Sequence, residues 1–528
     1  MASKLPIGIQ SFEDLRSKGF KYVDKTGIMY RLADEGKYYF LSRPRRFGKS
    51  LFLSTLEAYF LGKKELFKGL AVERLEQDWT EYPVLHLDLN TQKYDSKEKL
   101  QYVLNVFLNR IERQYGIDSD QSDNLGPRFE NVIRNVCEKT GRQVVILVDE
   151  YDKPMLEAIG RPELQEEYRA TLKSFYGALK SCDAYIRFAF LTGVTKFGKV
   201  SVFSDLNHLM DLSMLPQYYD ICGISETELH EYFDNEVGTL AGRMHISKDE
   251  AYAALKENYD GYRFTAESSY YTEDDQEHPI QGVYNPFSLL NALKNSLIGS
   301  YWFATGTPTY LVELLKKHNY FLPDLENEEI TADVLDCIDP ASVDAIPVIY
   351  QSGYLTIKDY DPRFGLFTLV FPNREVREGF VRFLVPYYTP IQREQSGFAV
   401  TRFVKAFESG DVEAFMTLFQ SFLASNPYEL SAQQERHFQE VMYILTSLCG
   451  LYVDVESHSS RGRADMTVKT DSFIYVMEFK FNGSAEAALQ QIRDKGYGEK
   501  YASDNRQLLL LGINYSTEAR NIDSWLAE

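Results

Sequence analysis

Short apolar runs alternate with amphipathic stretches through the first part of the chain. Tyr38–Leu41, Pro83–Leu89, Val144–Val148 and Tyr185–Val194 have the length and character of strands. Val144-Val145-Ile146-Leu147-Val148 reads as one buried on both faces of a parallel sheet. Between them, apolar residues recur at helical spacing: Leu53, Leu56, Tyr59 and Phe60 over 51–61, closed by Gly62, then helices over 97–115, 126–139 and 163–181. Ahead of the first strand, Ser11 caps a short helix, and Tyr22–Thr26 reads as a strand and turn before a second helix. Strands alternating with helices specify an α/β domain with a mostly parallel sheet.

Past residue 222 the strands thin out. Ser225 and Glu228 have capping-box spacing, and Asn285-Pro286 supplies the cap and first position of another helix. Tyr259–Phe264 is a turn dense in aromatics around Arg263, and Glu267–His278 reads as an exposed acidic loop. Residues 328–370 read as small helices followed by a hairpin turning at Asp359–Arg363, a winged-helix-like arrangement. From 431 the order becomes helix, three strands, helix, strand. The strands are Leu451–Ser457, Ala464–Val468, Phe473–Lys480 and Gln507–Gly512, and the second helix spans 484–503.

Composition narrows the classes. With 44% hydrophobic and 25% charged residues, the 528-residue chain is of ordinary globular make-up and long enough for several cores. Its 57 basic and 77 acidic residues give a net charge of −20, so any nucleic-acid partner must meet a local basic patch. Cys137, Cys182, Cys222, Cys337 and Cys449 are scattered, which suits thiols in a reducing compartment better than disulfides or zinc. No apolar run reaches membrane-spanning length and no leader is evident, so a cytoplasmic protein without a membrane partner is expected. The oligomeric state is left open.

Two constellations carry chemistry. Tyr38–Leu41 runs into Ser42-Arg43-Pro44-Arg45-Arg46-Phe47-Gly48-Lys49-Ser50 and then a helix, the strand–turn–helix setting of a P-loop. Backbone N–H groups at the helix start can cradle phosphates, with Arg45, Arg46 and Gly48 contributing to the cradle. Lys49 would reach the β and γ oxygens and the Ser50 hydroxyl would bind Mg²⁺. Arg43 stands where GxxxxGK[ST] wants its first glycine. The run Val144–Val148 ends in Asp149-Glu150, placing Asp149 as a metal-binding acid and Glu150 as the residue that polarises the attacking water. Thr192 closes the following strand, at the place of a γ-phosphate sensor. Arg263 is either an arginine finger in cis or, the reading favoured, a surface arginine packed on tyrosine rings.

In the C-terminal region Glu478 and Lys480 lie two apart on one strand and so share a face. Asp465, at the start of the neighbouring strand, can converge on them, with Gln491 on the next helix. Two carboxylates and a lysine make a hard-cation site suited to Mg²⁺ and to attack on a phosphodiester.

Phe40–Ser50, Val148-Asp149-Glu150-Tyr151-Asp152, Leu191-Thr192-Gly193-Val194, Tyr262-Arg263-Phe264 and Tyr284-Asn285-Pro286 resemble the bacterial AAA-ATPase-like proteins with a C-terminal PD-(D/E)XK nuclease-superfamily domain. The resemblance covers nearly the whole chain. It implies ATP at Lys49 and Ser50, Asp149 and Glu150 as the acidic pair, and a nuclease-like site at Asp465, Glu478 and Lys480. It also implies Gln491 near that site and Glu435 as an extra acid for the metal. Ala464 replaces the proline of the "PD" pair. The expected fold is α/β: a P-loop NTPase-like parallel-sheet domain (1–222), a helical and winged-helix-like region (223–375), a helical connector (376–430) and a restriction-endonuclease-like α/β domain (431–528). The expected function is ATP binding and hydrolysis coupled to a Mg²⁺-dependent nuclease acting on DNA or RNA. The rival is a nucleotide-dependent switch whose C-terminal domain binds nucleic acid or protein without catalysis. A GTPase is disfavoured, since no Asn-Lys-x-Asp signature occurs.

Overall fold

The computed structural model describes residues 4–118, 124–196, 202–203, 206, 208–272, 276–303, 309–317, 320–325, 328–336, 345–389, 393–423, 434–450, 454–457 and 465–528. The chain divides into two compact units, Met1–His318 with Asn327–Glu375, and Asn319–Glu326 with Val376–Glu528.

In the first unit, β1 (Tyr38–Ser42), β2 (Val84–Asp88), β3 (Val144–Asp149), β4 (Ile186–Gly193) and β5 (Met210–Asp211) form a parallel sheet in the order β2-β3-β4-β1-β5. Every residue of β1 and β3 is buried, as their unbroken apolar runs require of strands covered on both faces. The amphipathic stretches form the helices Lys49–Phe60, Lys97–Tyr115, Leu125–Thr140 and Pro162–Ser181. Because β4 pairs with both β1 and β3, the C-terminal ends of these three strands lie side by side, where open α/β sheets place their ligands. The expected strand at Tyr22–Thr26 does not form. Lys21 is drawn to the Tyr232 carbonyl and the Glu236 carboxylate, and Asp24 accepts from Thr26 N and Oγ1 (2.9 and 2.6 Å), so this backbone reaches no sheet edge.

Beyond the sheet, β6 (Ile224–Ser225) enters the helix Glu226–Met244 through a capping box between Ser225 and Glu228. The helices Lys248–Tyr259 and Pro286–Asn295 pack with it around Leu229, Phe233, Leu240, Leu255 and Leu289. Asn285 caps the last of these, accepting from Phe287 N and Ser288 N. Glu267–His278 is more than a loop. It contributes to a hairpin, β7 (Ser269–Tyr271) with β8 (Glu277–Pro279), in which the Tyr270 and His278 rings stack 5.1 Å apart. β9 (Val283–Tyr284) pairs with β6.

A three-stranded antiparallel sheet follows. The helix Thr309–Lys317 precedes β10 (Glu328–Thr331), the helices Ala332–Asp336 and Ala345–Gln351, then β11 (Thr356–Asp361) and β12 (Leu366–Val370), with sheet order β10-β12-β11. This module is pressed against the loop after β1. Gly353, at φ 89°, has no room for a side chain, since a Cβ there would stand 2.5 Å from Pro44. The Gln351 carboxamide accepts from Lys196 N (2.6 Å) and donates to the Leu335 carbonyl (2.8 Å), joining the segment after β4 to the module's helices.

The second unit carries the helices Arg393–Ser409, Val412–Leu423 and Gln434–Cys449, and a mixed sheet of β13 (Asp454–Ser457), β14 (Met466–Lys469), β15 (Phe473–Phe481), β16 (Gln507–Ser516) and β17 (Asn521–Ala527). Among its described strands only β15 and β16 run parallel. The helix Ala485–Asp494 connects these two and buries Ala488, Leu489 and Ile492. It is shorter than its pattern predicts, because Gly496 takes φ 64° and turns the chain. Strand β17 had no expected counterpart; its alternation of Ile522 and Trp525 with polar residues is weak.

Candidate active sites

The first site grows from the end of β1. Arg43 is buried, 1% exposed, and donates to the carbonyls of Ser42, Ser213 and Tyr218 (3.0, 2.7 and 3.1 Å) while lying 4.0 Å over the Phe264 ring. Burial lowers its pKa to about 10, which leaves it charged at neutral pH. The residue that breaks the common P-loop pattern is therefore the knot that ties the loop to its surroundings. Arg43→Gly, which restores that pattern, is expected to cost about 2–4 kcal/mol, because buried carbonyls lose their donor. A urea midpoint equal to that of the unaltered protein would contradict this.

Arg46 (φ 68°) and Gly48 (φ 96°) bend the loop, and the helix starts at Lys49. Lys49 Nζ donates to the carbonyls of Arg43 and Pro44 (2.9 and 3.1 Å). Ser50 Oγ donates to Asp149 Oδ2 (2.5 Å) and Thr192 Oγ1 to Asp149 Oδ1 (2.6 Å), so both carboxylate oxygens are held by hydroxyls from β4 and the loop helix. Thr192 is fully buried and reaches Asp149, not the wall of the cleft. Glu150 follows at φ 52°. Burial raises its pKa against the opposing charge of Lys49 and Arg45. Asp152, fully buried, accepts from Val194 N and from Thr195 N and Oγ1 (3.2, 2.6 and 2.7 Å), fixing the segment after β4.

Arg45–Leu51 and Glu150 wall a cleft of about 590 Å³ together with Ile7–Gln10, Asn90, Lys153 and Phe287, among others. Arg46 lies 4.8 Å over the Phe287 ring. An apolar annex of about 90 Å³ shares Phe47, Gly48 and Leu51 with the cleft and is lined by Tyr22, Val23, Ile224, Phe233 and Leu290. Arg263 does not line the cleft and stacks on no tyrosine among the described residues. Its guanidinium donates to the carbonyls of Lys358, Ala266 and Glu267, serving the start of the hairpin.

The second site is built on β15. Glu478 is 3% exposed; its Oε1 accepts from Lys480 Nζ (3.4 Å) and from Gln491 Nε2, and Lys480 Nζ also donates to Gln491 Oε1. Asp465 Oδ2 accepts from Phe479 N (2.8 Å), which seats its carboxylate beside the same strand. The structure thus brings Asp465, Glu478, Lys480 and Gln491 together. The Glu435 side chain lies outside the described residues. Among the described residues no three His, Cys, Asp or Glu form a ready metal cluster. Burial, then the neighbouring Asp465 charge, pushes Glu478 up to about 7, and burial also raises Asp465. Glu478 Oε2 is buried without a hydrogen-bond partner.

Glu478 binds its proton more tightly folded than unfolded, so it adds stability below its ordinary value of 4.5 and loses it as pH rises through about 7. Glu478→Gln is expected to raise metal-free stability at pH 8 by on the order of 2 kcal/mol, and to change little at pH 4. Denaturation at both pH values measures this; a loss of stability at pH 8 would contradict it.

The sequence left unread Arg43 as a structural anchor, the bonds by which Asp152 holds the segment after β4, and Lys153 on the cleft wall. Asp152 and Lys153 directly follow the acidic pair and its tyrosine, which was the one available signal.

Residues 6–203 match the AAA-ATPase-like family, described as a predicted AAA-ATPase, and residues 433–525 match a family of the PD-(D/E)XK nuclease superfamily. The chain is also 37% identical over 541 residues to an uncharacterized protein in the vnfD 5′ region of Azotobacter chroococcum mcd 1, covering 99% of each chain. No described helix is long and apolar enough to cross a membrane. With the full length shared with that relative and both sites standing in their matched regions, the chain belongs to the AAA-ATPase-like family and carries a C-terminal domain of the PD-(D/E)XK nuclease superfamily.

Proposed function

We propose that the first unit binds and hydrolyses ATP and that this gates a metal-dependent nuclease site in the second, acting on DNA or RNA. The observation that carries the reading is Asp149, whose two oxygens are fixed by Ser50 and Thr192 beside Lys49 and a cleft of nucleotide size. Lys49, now bonded to loop carbonyls, would transfer its donors to phosphate oxygens. Glu150 would take the proton of the attacking water. The apolar annex is assigned to the base and the Arg45–Ser50 turn to the phosphates.

The donor sets fit divalent metal at both sites: a hydroxyl with a carboxylate at Ser50 and Asp149, and two carboxylates at Asp465 and Glu478, whose Oε2 lacks a protein donor. Mg²⁺, when bound, supplies neutralising charge to phosphoryl oxygens. At the second site Lys480 would orient water and Gln491 would hold Lys480 and Glu478 in place.

We assign the three-stranded module to the winged-helix type, from its element order and its β10-β12-β11 sheet. Its helix Ala345–Gln351 contains no cation and buries nearly every residue, so its role is to brace the phosphate loop and not to read a nucleic-acid groove. The net charge of −20 favours a second reading, a nucleotide switch with a non-catalytic C-terminal binding module. ATP turnover with and without DNA and RNA, together with Mn²⁺ uptake, separates the two. The enzyme reading expects turnover stimulated by one nucleic acid and metal uptake lost in Glu478→Ala. Nucleotide binding without turnover, cleavage or metal uptake would leave the switch. In a thermal-shift assay Mg²⁺-ATP is expected to stabilise the protein and Lys49→Ala to abolish that response.

A further inference from the structure

We propose that Lys153 is a second phosphate-contacting cation of the nucleotide cleft, acting on the γ-phosphate and the charge that develops there. This rests on the nucleotide-site reading above. Lys153 N donates to the Glu150 carbonyl (3.1 Å), so the two residues belong to one turn, and both wall the same cleft as Lys49 and Ser50.

The charge on Lys153 is uncompensated. Lys25 is paired with Asp220 and Glu228, Lys196 with Asp211, and Arg128 with Glu112. Lys153 makes no ion pair among the described residues. Its Nζ rests on neutral oxygens, the carbonyl (3.4 Å) and side-chain amide of Asn90, itself a cleft residue. Glu157, one helical turn on and the natural partner, has its Oε2 taken by Tyr94 N (2.6 Å). Lys153 is half-buried as a residue, while its ammonium bonds to Asn90 are open to solvent, so an anion entering the cleft can reach Nζ and displace that neutral partner.

Its place fixes which phosphate it meets. The annex assigned to the base borders Gly48 and Leu51 but neither Glu150 nor Lys153. Asn90 and Lys153 follow β2 and β3, whereas the phosphate turn follows β1. A nucleotide running from the annex across the turn presents its terminal phosphate to Glu150 and Lys153. In hydrolysis the water oxygen bonds Pγ and its proton passes to the Glu150 carboxylate. The bond from Pγ to the bridging oxygen breaks, its electron pair leaving with ADP. Lys153 would meet the charge on the γ oxygens.

The test measures kcat for ATP and the affinities for ATPγS and ADP in the full chain, its Lys153→Ala variant and its Lys153→Arg variant. Lys153→Ala is expected to lower kcat about 100-fold and ATPγS affinity about 10-fold, with ADP affinity within about twofold. Lys153→Arg is expected to recover most of the ATPγS affinity. A merely structural role would weaken both nucleotides alike, and that outcome overturns the proposal. So does an alanine variant matching the unaltered protein in kcat and in the ATPγS-to-ADP ratio, while the nucleotide-site reading then survives. An unaltered protein that binds neither nucleotide ends both.

Discussion

Lys480→Ala is expected to lower metal-dependent cleavage of DNA or RNA by about 10³-fold while leaving fold and metal uptake in place. The side chain is 30% exposed and, among the described residues, its ammonium bonds Glu478 and Gln491 alone, so its loss opens no cavity in the core. Glu478 keeps its bond from Gln491, and Asp465 keeps its bond from Phe479 N, so both proposed metal ligands stay where they are. What disappears is the only cation in this set, the group that would orient water and offset charge on the phosphate. Single-turnover cleavage alongside Mn²⁺ titration checks both halves of the expectation. Unchanged cleavage would place the activity at other residues; lost metal uptake would mean that Lys480 holds the carboxylates instead of serving the chemistry.

Glu150→Gln should retain ATP binding and lose about 100-fold or more in hydrolysis. The carboxylate lies on the wall of the cleft, and an amide of the same shape keeps the turn at φ 52° but cannot accept the proton of water. The proposed phosphate contacts, at Lys49, Ser50 and Lys153, are side chains that this change does not touch. Burial also gives this step a pH signature. Because the pKa of Glu150 is raised, its ionised form, the one that accepts a proton, is lost at higher pH than for an exposed glutamate. The acid limb of kcat should therefore lie above the ordinary glutamate range and vanish in the glutamine variant. Turnover in Glu150→Gln equal to that of the unaltered protein would remove Glu150 from the mechanism.

The pattern of apolar runs located β1 to β4 of the first sheet and β14 to β16 of the second, because a strand buried on two faces leaves an unambiguous trace and residues two apart must share a face. That is why Asp149 falls at the end of one strand and Glu478 and Lys480 within another, as their runs predict. Features built from distant segments left no such trace. Nothing near Arg43 says that Phe264, Ser213 and Tyr218 will receive it, and a lone arginine in a glycine's place looks like damage to a motif. The hairpin inside the acidic stretch and strand β17 are short or polar, so period alone gave them no weight. Tyr22–Thr26 failed for the opposite reason: it has strand-like residues but spends its polar groups on a helix start and, through Lys25, on Asp220 and Glu228.

The stretch matched to the ATPase family ends at residue 203, but the supports of its loop after β1 do not end there. The ring beneath Arg43 is residue 264, the glycine that makes room for Pro44 is residue 353, and the amide that receives Lys196 is residue 351. A piece excised at 203, or at 222 where the strand pattern thins, would leave that loop with raw surfaces on three sides. The smallest fragment worth expressing on its own runs through residue 375.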